Sequence, residues 1–301
     1  MIGYLRLVRF PNVFTALADI LAGYLIIRSA RANLSVQGWD GLPQLLGASA
    51  ALYMAGMAFN DIADRDEDSR VRPNRPIPSG QVSAHGALVC AVVLMVGGLG
   101  LSYWVGMDSL IRAGLLAAAI LQYDFRAKGV FLFGPFVLGL CRFLNVQLGM
   151  SGHPDFAFAL RTSNFTESAW APAIAVGVYA AGLTAFSAQE EEGKQRRAII
   201  TGWLLCGGAI LFAGVSSSPY AWIALAPLAL TLQFLTFKLR REGTPAAARN
   251  LVRFGVMGIC LLDAGLILGY AGPTAWPYAV GCVALLIPGF VIAKLLAQKE
   301  A

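Results

Sequence analysis

The sequence predicts an all-α fold: a polytopic membrane bundle of nine to ten transmembrane helices, forming one domain over residues 1–301. Three observations predict it. Only 13% of the residues are charged and 57% are hydrophobic, whereas a soluble domain carries roughly 25% charged residues. The apolar excess is cut into recurring runs close to the ~20 residues that a helix needs to cross a hydrocarbon core. The Lys and Arg residues also fall almost entirely into alternate connections between those runs, as membrane insertion requires.

In chain order the runs are 12–29, 42–60, 86–106, 109–124, 130–150, 168–188, 198–216, 219–237, 251–271 and 275–296. They are rich in Gly, Ala and Leu, which suits close helix packing in lipid. The first follows Arg6 and Arg9, and Ala30-Arg31-Ala32 after it mimics a signal-peptide cleavage site. Its length and its internal Asp19 favour a first span over a cleaved leader. The fifth run contains Arg142 and Asn145, and the ninth contains Asp263. Cys90, Cys141, Cys206, Cys260 and Cys282 all lie inside runs with no close pair, so they read as small core residues rather than disulfides or metal ligands. No linker, low-complexity tract or soluble domain interrupts the series.

Ten spans place both termini on one side. Of the 23 Lys and Arg residues, Arg28, Arg31, Arg112 and Arg161 fall on the opposite side and Arg142 inside a span; all the others share the side of the termini. That side is therefore expected to be the cytoplasm, with the bacterial-type inner (plasma) membrane as the location. The net charge of +6 follows from this asymmetry and calls for no nucleic acid partner. The outer loop 151–167 carries His153, Asp155 and Glu167 without a recognisable spacing.

The most informative polar stretch is Asn60-Asp61-Ile62-Ala63-Asp64-Arg65-Asp66-Glu67-Asp68, directly after the second run. Asp61, Asp64 and Asp68 stand at i, i+3 and i+7, which puts them on one helical face within two turns. Three like charges there repel each other, and a divalent cation relieves the repulsion. Hard carboxylate oxygens point to Mg²⁺, which binds through a few carboxylates plus substrate phosphates. The plain alternative is a solvated charge run balanced by Arg65, Arg70 and Arg72. The continuation favours the site. Pro73, Pro76, Pro78 and Gly80 forbid a continuing helix and fix a turning loop around Arg75. Acids for a metal beside arginines for phosphate oxygens make a diphosphate site.

The string NDIADRDED, continuing to NRPIPSG, resembles the first aspartate-rich motif of the UbiA superfamily of intramembrane prenyltransferases, NDxxDxxxD followed by an Arg-Pro-(Ile/Leu)-Pro-Ser-Gly turn. The close match covers residues 60–80, and the remainder agrees by span pattern. The resemblance implies a UbiA-like bundle with a central cavity open to the cytoplasmic side and to lipid, usually of nine spans. It implies that Asn60, Asp61, Asp64 and Asp68 bind Mg²⁺ and diphosphate, and that Arg72 or Arg75 contacts the phosphates. Arg6, Arg9 and Asn12 resemble polar residues near the family's acceptor. Tyr123 and Lys128 resemble a Tyr and Lys between the fourth and fifth spans, with Lys128 a diphosphate ligand in the catalytic set. Plain inside-positive charge accounts equally for Arg6, Arg9 and Lys128, and an interfacial aromatic for Tyr123.

The second acidic motif departs from the family pattern DxxxD with a following Gly-Lys. Here the chain reads Gln189-Glu190-Glu191-Glu192-Gly193-Lys194. The position and the Gly-Lys ending agree, so Glu190 and Glu191 are expected at a second Mg²⁺ and Lys194 at the substrate; a solvated loop is the alternative. Arg142 and Asn145 inside the fifth run are expected to face a polar cavity or a partner, because buried arginine in lipid is costly. With the altered loop they resemble the EboC-like branch, and Asp19 or Asp263 is a candidate counterion. The resulting expectation is a Mg²⁺-dependent transferase moving a prenyl group from a prenyl diphosphate to an unidentified acceptor, aromatic or a quinone precursor by family resemblance, in contact with membrane lipid. The rival expectation is a transporter or non-catalytic membrane scaffold on the same fold.

Overall fold

The computed structural model describes residues 2–29, 40–127, 133–161, 169–187 and 196–298, and they form helices joined by short turns. A short α1 (Ile2–Leu7) and a 3₁₀ turn (Phe10–Asn12) lead into α2 (Val13–Ser29). Then follow α3 (Leu42–Ala63), α4 (Arg65–Val71), α5 (Ala84–Val105), α6 (Met107–Gln122), α7 (Phe133–Met150), the one-turn α8 (Phe156–Ala159) and α9 (Trp170–Ser187). The chain ends with α10 (Arg196–Val215), α11 (Trp222–Glu242), α12 (Pro245–Ala271), α13 (Trp276–Ala284) and α14 (Leu286–Gln298).

Local chemistry sets several of these boundaries. Ser83 caps α5 by accepting a hydrogen bond from the Gly86 amide at 3.0 Å. Thr244 caps α12 in the same way, with Pro245 at the first helical position. The last apolar run is broken into α13 and α14 because Pro288 has no amide hydrogen to offer the Ala284 carbonyl.

Nine of the described helical stretches are long and apolar enough to cross a membrane. The tenth predicted run is α6, whose 16 residues span roughly 24 Å, short of the ~30 Å hydrocarbon core. It runs back alongside α3: Ser109 near its start meets Ser151 beyond α7 at 2.8 Å, and Ile120 near its end packs on Gly56.

Two apolar cores share α2 and α7. One gathers α1, α3, α5 and α6 onto them, the other α9, α10, α11, α12 and α13. The shared pair is packed backbone to backbone. A Cβ at Gly149 would lie 2.5 Å from the Ile20 carbonyl oxygen, and one at Gly23 would overlap the Val146 carbonyl. Polarity is inverted relative to a soluble protein. Leu88, Val89, Val92, Val93 and Val96 of α5 are exposed and Trp104 is 81% exposed, whereas Asp19 and Asp263 are fully buried. The outside suits lipid, with an aromatic near a helix end, and the polar groups gather within.

Candidate active site

The acidic motif straddles the end of α3. Asn60 and Asp61 occupy its last turn, and Asp64 leaves helical geometry at φ −87°, ψ 1°, before α4 resumes with Asp68. Asp61 and Asp68 are buried at 4% and 1% exposure, and Asp64 is half-buried. Arg75 sits between the two buried carboxylates, its Nη1 donating to Asp61 Oδ1 at 3.1 Å and to Asp68 Oδ2 at 2.8 Å. The proline-bearing turn fixes that reach. The Arg75 amide donates to the Arg72 carbonyl at 3.0 Å, Ser79 N to the Arg75 carbonyl at 2.9 Å, and Val82 N to the Pro76 carbonyl at 3.0 Å.

Two further arginines close the cluster. Arg9 Nη2 donates to Asp61 Oδ1 at 3.2 Å, and Arg72 Nη1 lies 3.6 Å from Asp68 Oδ1. Asp64 accepts from Asn60 Nδ2 at 3.3 Å. Arg9 is the only non-glycine residue with positive φ among the described residues, at φ 46°. Such a conformation costs of order 1–3 kcal/mol and persists where surrounding contacts hold it, here the contact with Asp61.

The three carboxylates do not converge on one point. Among the described residues no three His, Cys, Asp or Glu side chains form a group able to hold a metal, because the Arg75 guanidinium lies between Asp61 and Asp68. The donor chemistry does suit Mg²⁺, which needs only one or two carboxylates alongside phosphate oxygens and water. Asp68 Oδ1, buried and without a hydrogen-bond donor among the described residues, is one such oxygen.

Inward of this cluster lies a cavity of about 290 Å³. Arg9, Asn12, Tyr123 and Asp124 line its mouth, and Tyr53 follows; Ser49, Arg142 and Asn145 lie at the interior end, with Leu116, Ile120, Leu183 and Ile259 among the apolar walls. Tyr123 opens a π-helical turn, Tyr123–Ala127, that departs from the regular geometry of α6.

The interior end is a closed hydrogen-bonded network. Arg142 Nη1 donates to Asp19 Oδ2 at 3.0 Å and Nη2 to Thr15 Oγ1 at 2.8 Å. Asn145 Nδ2 donates to the Ala16 carbonyl at 2.8 Å and to Asp19 Oδ2 at 2.9 Å, and Ser49 Oγ donates to Asn145 Oδ1 at 2.7 Å. Of the two candidate counterions, Asp19 ion-pairs Arg142 directly, whereas Asp263 is fully buried with neither carboxyl oxygen hydrogen-bonded among the described residues.

Residues 20–255 match the UbiA prenyltransferase family. The chain belongs to that family. Digeranylgeranylglyceryl phosphate synthase of Methanopyrus kandleri is 31% identical over 158 residues, 51% of this chain and 56% of that one; the chain thus spans about half the length of the first curated relatives it matches. Two solved structures share the fold. A UbiA homolog from Aeropyrum pernix K1 superposes with a TM-score of 0.65 at 18% identity, over 84% of this chain and 97% of that one. A UbiA homolog from Archaeoglobus fulgidus bound to GPP and Mg²⁺ gives 0.63 at 15% identity, over 94% and 99%. Nine long apolar helices in a UbiA-family protein make this an integral, multi-pass membrane protein.

This UbiA-family chain brings Asn60, Asp61, Asp64, Asp68, Arg72, Arg75 and Arg9 together at one mouth. Asn12, Tyr123, Arg142 and Asn145 line the cavity behind it. Lys128, Glu190, Glu191 and Lys194 lie outside the described residues. Sequence reasoning missed Tyr53, Ser49, Thr15 and Asp124. The first three are ordinary interior residues by type. Asp124, at 7% exposure, carried a signal: an acid at the end of an apolar run, next to Tyr123.

Proposed function

We propose that this UbiA-family protein is a Mg²⁺-dependent intramembrane prenyltransferase that takes the prenyl group of a prenyl diphosphate, with residues 1–301 forming one membrane domain and both termini in the cytoplasm. The observation that carries the reading is the buried Asp61–Arg75–Asp68 cluster with Arg9, opening onto a cavity whose walls are largely apolar. One end suits a diphosphate and the other a hydrocarbon chain. The GPP- and Mg²⁺-bound homolog from Archaeoglobus fulgidus supports the same donor class.

Asp61, Asp64 and Asp68 supply the carboxylates, of which one or two would hold Mg²⁺ together with diphosphate oxygens and water; when bound, the ion neutralises charge on the leaving group. Arg75, Arg72 and Arg9 supply directional N–H donors to the same phosphate oxygens. Asn60 fixes Asp64 through its 3.3 Å hydrogen bond. Leu116, Ile120, Leu183 and Ile259 shelter the prenyl chain and exclude water from the carbon left electron-poor when its C–O bond breaks. Tyr123 and Asn12 stand where the diphosphate end meets the apolar cavity. By the family resemblance, Lys128 and Lys194 would add to the diphosphate contacts, and Glu190 and Glu191 would offer carboxylates for a second metal.

The test is purified protein incubated with geranyl diphosphate, Mg²⁺ and a panel of lipid-soluble acceptors. Stoichiometric diphosphate and prenylated product, abolished by chelation, is the expected result. Movement of substrate across liposomes without diphosphate release would overturn the reading in favour of a transporter.

A further inference from the structure

The interior end of the cavity holds a polar cluster that donor chemistry leaves unused. Arg142 lines the cavity with its side chain 14% exposed. A guanidinium has five N–H donors, and among the described residues Arg142 makes two hydrogen bonds, to Asp19 and Thr15. The others are available to a ligand. Along α2, Thr15 lies about one turn and Asp19 about two turns past Asn12, so the cluster runs from roughly 5 to roughly 11 Å beyond the mouth. A small head group fits between the two ends.

Charge decides which head group. The Arg142 cation is cancelled by Asp19 at 3.0 Å. A second fully buried carboxyl, Asp263, lies within electrostatic reach of Asp19 and Arg142 and receives no donor among the described residues. With either or both carboxyls ionised, the cluster has no net positive charge. Ser49, Asn145 and Tyr53, which complete this end, bring hydroxyl and amide groups but no cation. A phosphate placed here would lose its hydration and meet a guanidinium already paired with a carboxylate, with no second cation at this end to offset the loss. An uncharged hydroxyl or carbonyl accepts hydrogen bonds from the available Arg142 N–H groups without changing the net charge.

Resting on the prenyl-transfer reading, we infer that the Arg142 end of the cavity is the acceptor subsite and that it takes an uncharged hydroxyl or carbonyl group in preference to a phosphate. Arg142 there orients the acceptor, and the acidic mouth keeps the diphosphate.

The experiment uses the full chain in lipid nanodiscs with the donor end filled by Mg²⁺ and geranyl thiolodiphosphate, an unreactive analogue. Two probes differing in one group, 4-methylphenol and 4-methylphenyl phosphate, are titrated, with partition into empty nanodiscs subtracted. The phenol is expected to bind at least about tenfold more tightly. Asp19→Asn, which uncovers the Arg142 charge, is expected to shift the preference toward the phosphate. Because an uncompensated buried arginine also weakens folding, Arg142→Gln supplies an independent reading: phenol binding falls by about tenfold or more while donor-analogue binding persists. Phosphate binding as tight as phenol binding in the wild type, phenol binding untouched by Arg142→Gln, or no phenol binding at all overturns the acceptor assignment. Failure of Mg²⁺ and geranyl thiolodiphosphate to bind overturns the prenyl-transfer reading instead.

Discussion

Replacing Arg75 by Met removes the cation that, among the described residues, bridges Asp61 and Asp68. Arg75 makes two charge-assisted hydrogen bonds, at 3.1 and 2.8 Å, to carboxylates that are almost fully buried. A hydrogen bond to a charged group contributes about 1.5–3 kcal/mol, so the pair has an upper value of roughly 3–6 kcal/mol. Two facts reduce it. Arg75 is itself 23% exposed, and Arg9 and Arg72 remain beside Asp61 and Asp68 after the change. About 2–3 kcal/mol is the expected loss in metal-free buffer. If the same carboxylates hold Mg²⁺, the ion takes the place that Arg75 fills in the wild type and binds the variant more tightly; at a hundred times the variant's Kd and below that of the wild type, it adds about 2.7 kcal/mol to the folded variant alone. The deficit of Arg75→Met therefore shrinks when Mg²⁺ is added. The assay is unfolding of wild type and variant in matched detergent micelles, with chelator and with Mg²⁺. A variant as stable as the wild type in chelator would show that the bridge contributes nothing. A deficit unchanged by Mg²⁺ would show that the metal does not reach these carboxylates.

Asp64→Asn keeps size and polarity while deleting charge, and should lower the prenyl-transfer rate by roughly 10²-fold or more, with stability unchanged or slightly raised because repulsion with Asp61 and Asp68 is relieved; wild-type turnover sinks the assignment. Converting Glu190, Glu191 and Glu192 together to Gln should reduce Mg²⁺-dependent activity, and full activity would refute a second acidic site there. Cysteines introduced at Ser79 and Glu242, in a background lacking reactive native thiols, should label only from the cytoplasmic side, and one at Gly152 only from outside; labelling of Ser79 and Glu242 from opposite sides removes the proposed topology. Gly149→Ala places a methyl group 2.5 Å from the Ile20 carbonyl oxygen, so overpacking should cost about 1–3 kcal/mol, read as a lowered unfolding midpoint; an unchanged midpoint would mean that α2 and α7 separate easily.

What the sequence made legible is what local spacing encodes. Apolar run lengths located the helices, because hydrocarbon thickness acts on each helix separately. α6 is the shortest of the expected spans, its 16 helical residues at the edge of what length alone separates, yet it carries the chain from the Ser151 end of α7 back to the Gly56 end of α3. The mouth was legible for a similar reason: Asp61, Asp64, Asp68 and the turn that carries Arg75 lie within one short segment. Its internal geometry was not. Even spacing predicted three equivalent acids, but α3 ends at Ala63, and Arg75 ties the first to the third while Asn60 holds the second.

The interior cluster marks where sequence reasoning stops, because its pairing depends on a crossing between helices remote in sequence. Asp19 and Asp263 were equally good partners for Arg142 by type, each a buried acid inside an apolar run. Helix packing chose between them. Gly23 and Gly149 let the α2 and α7 backbones meet directly. At that separation the long Arg142 side chain reaches Asp19 and Thr15 on α2, and Asn145, one turn on, reaches the same carboxylate. Asp263 on α12 is left fully buried with no hydrogen-bond donor among the described residues. Two small residues with no chemistry of their own thus fix which acid neutralises the arginine, and through that the charge an acceptor meets at the end of the cavity.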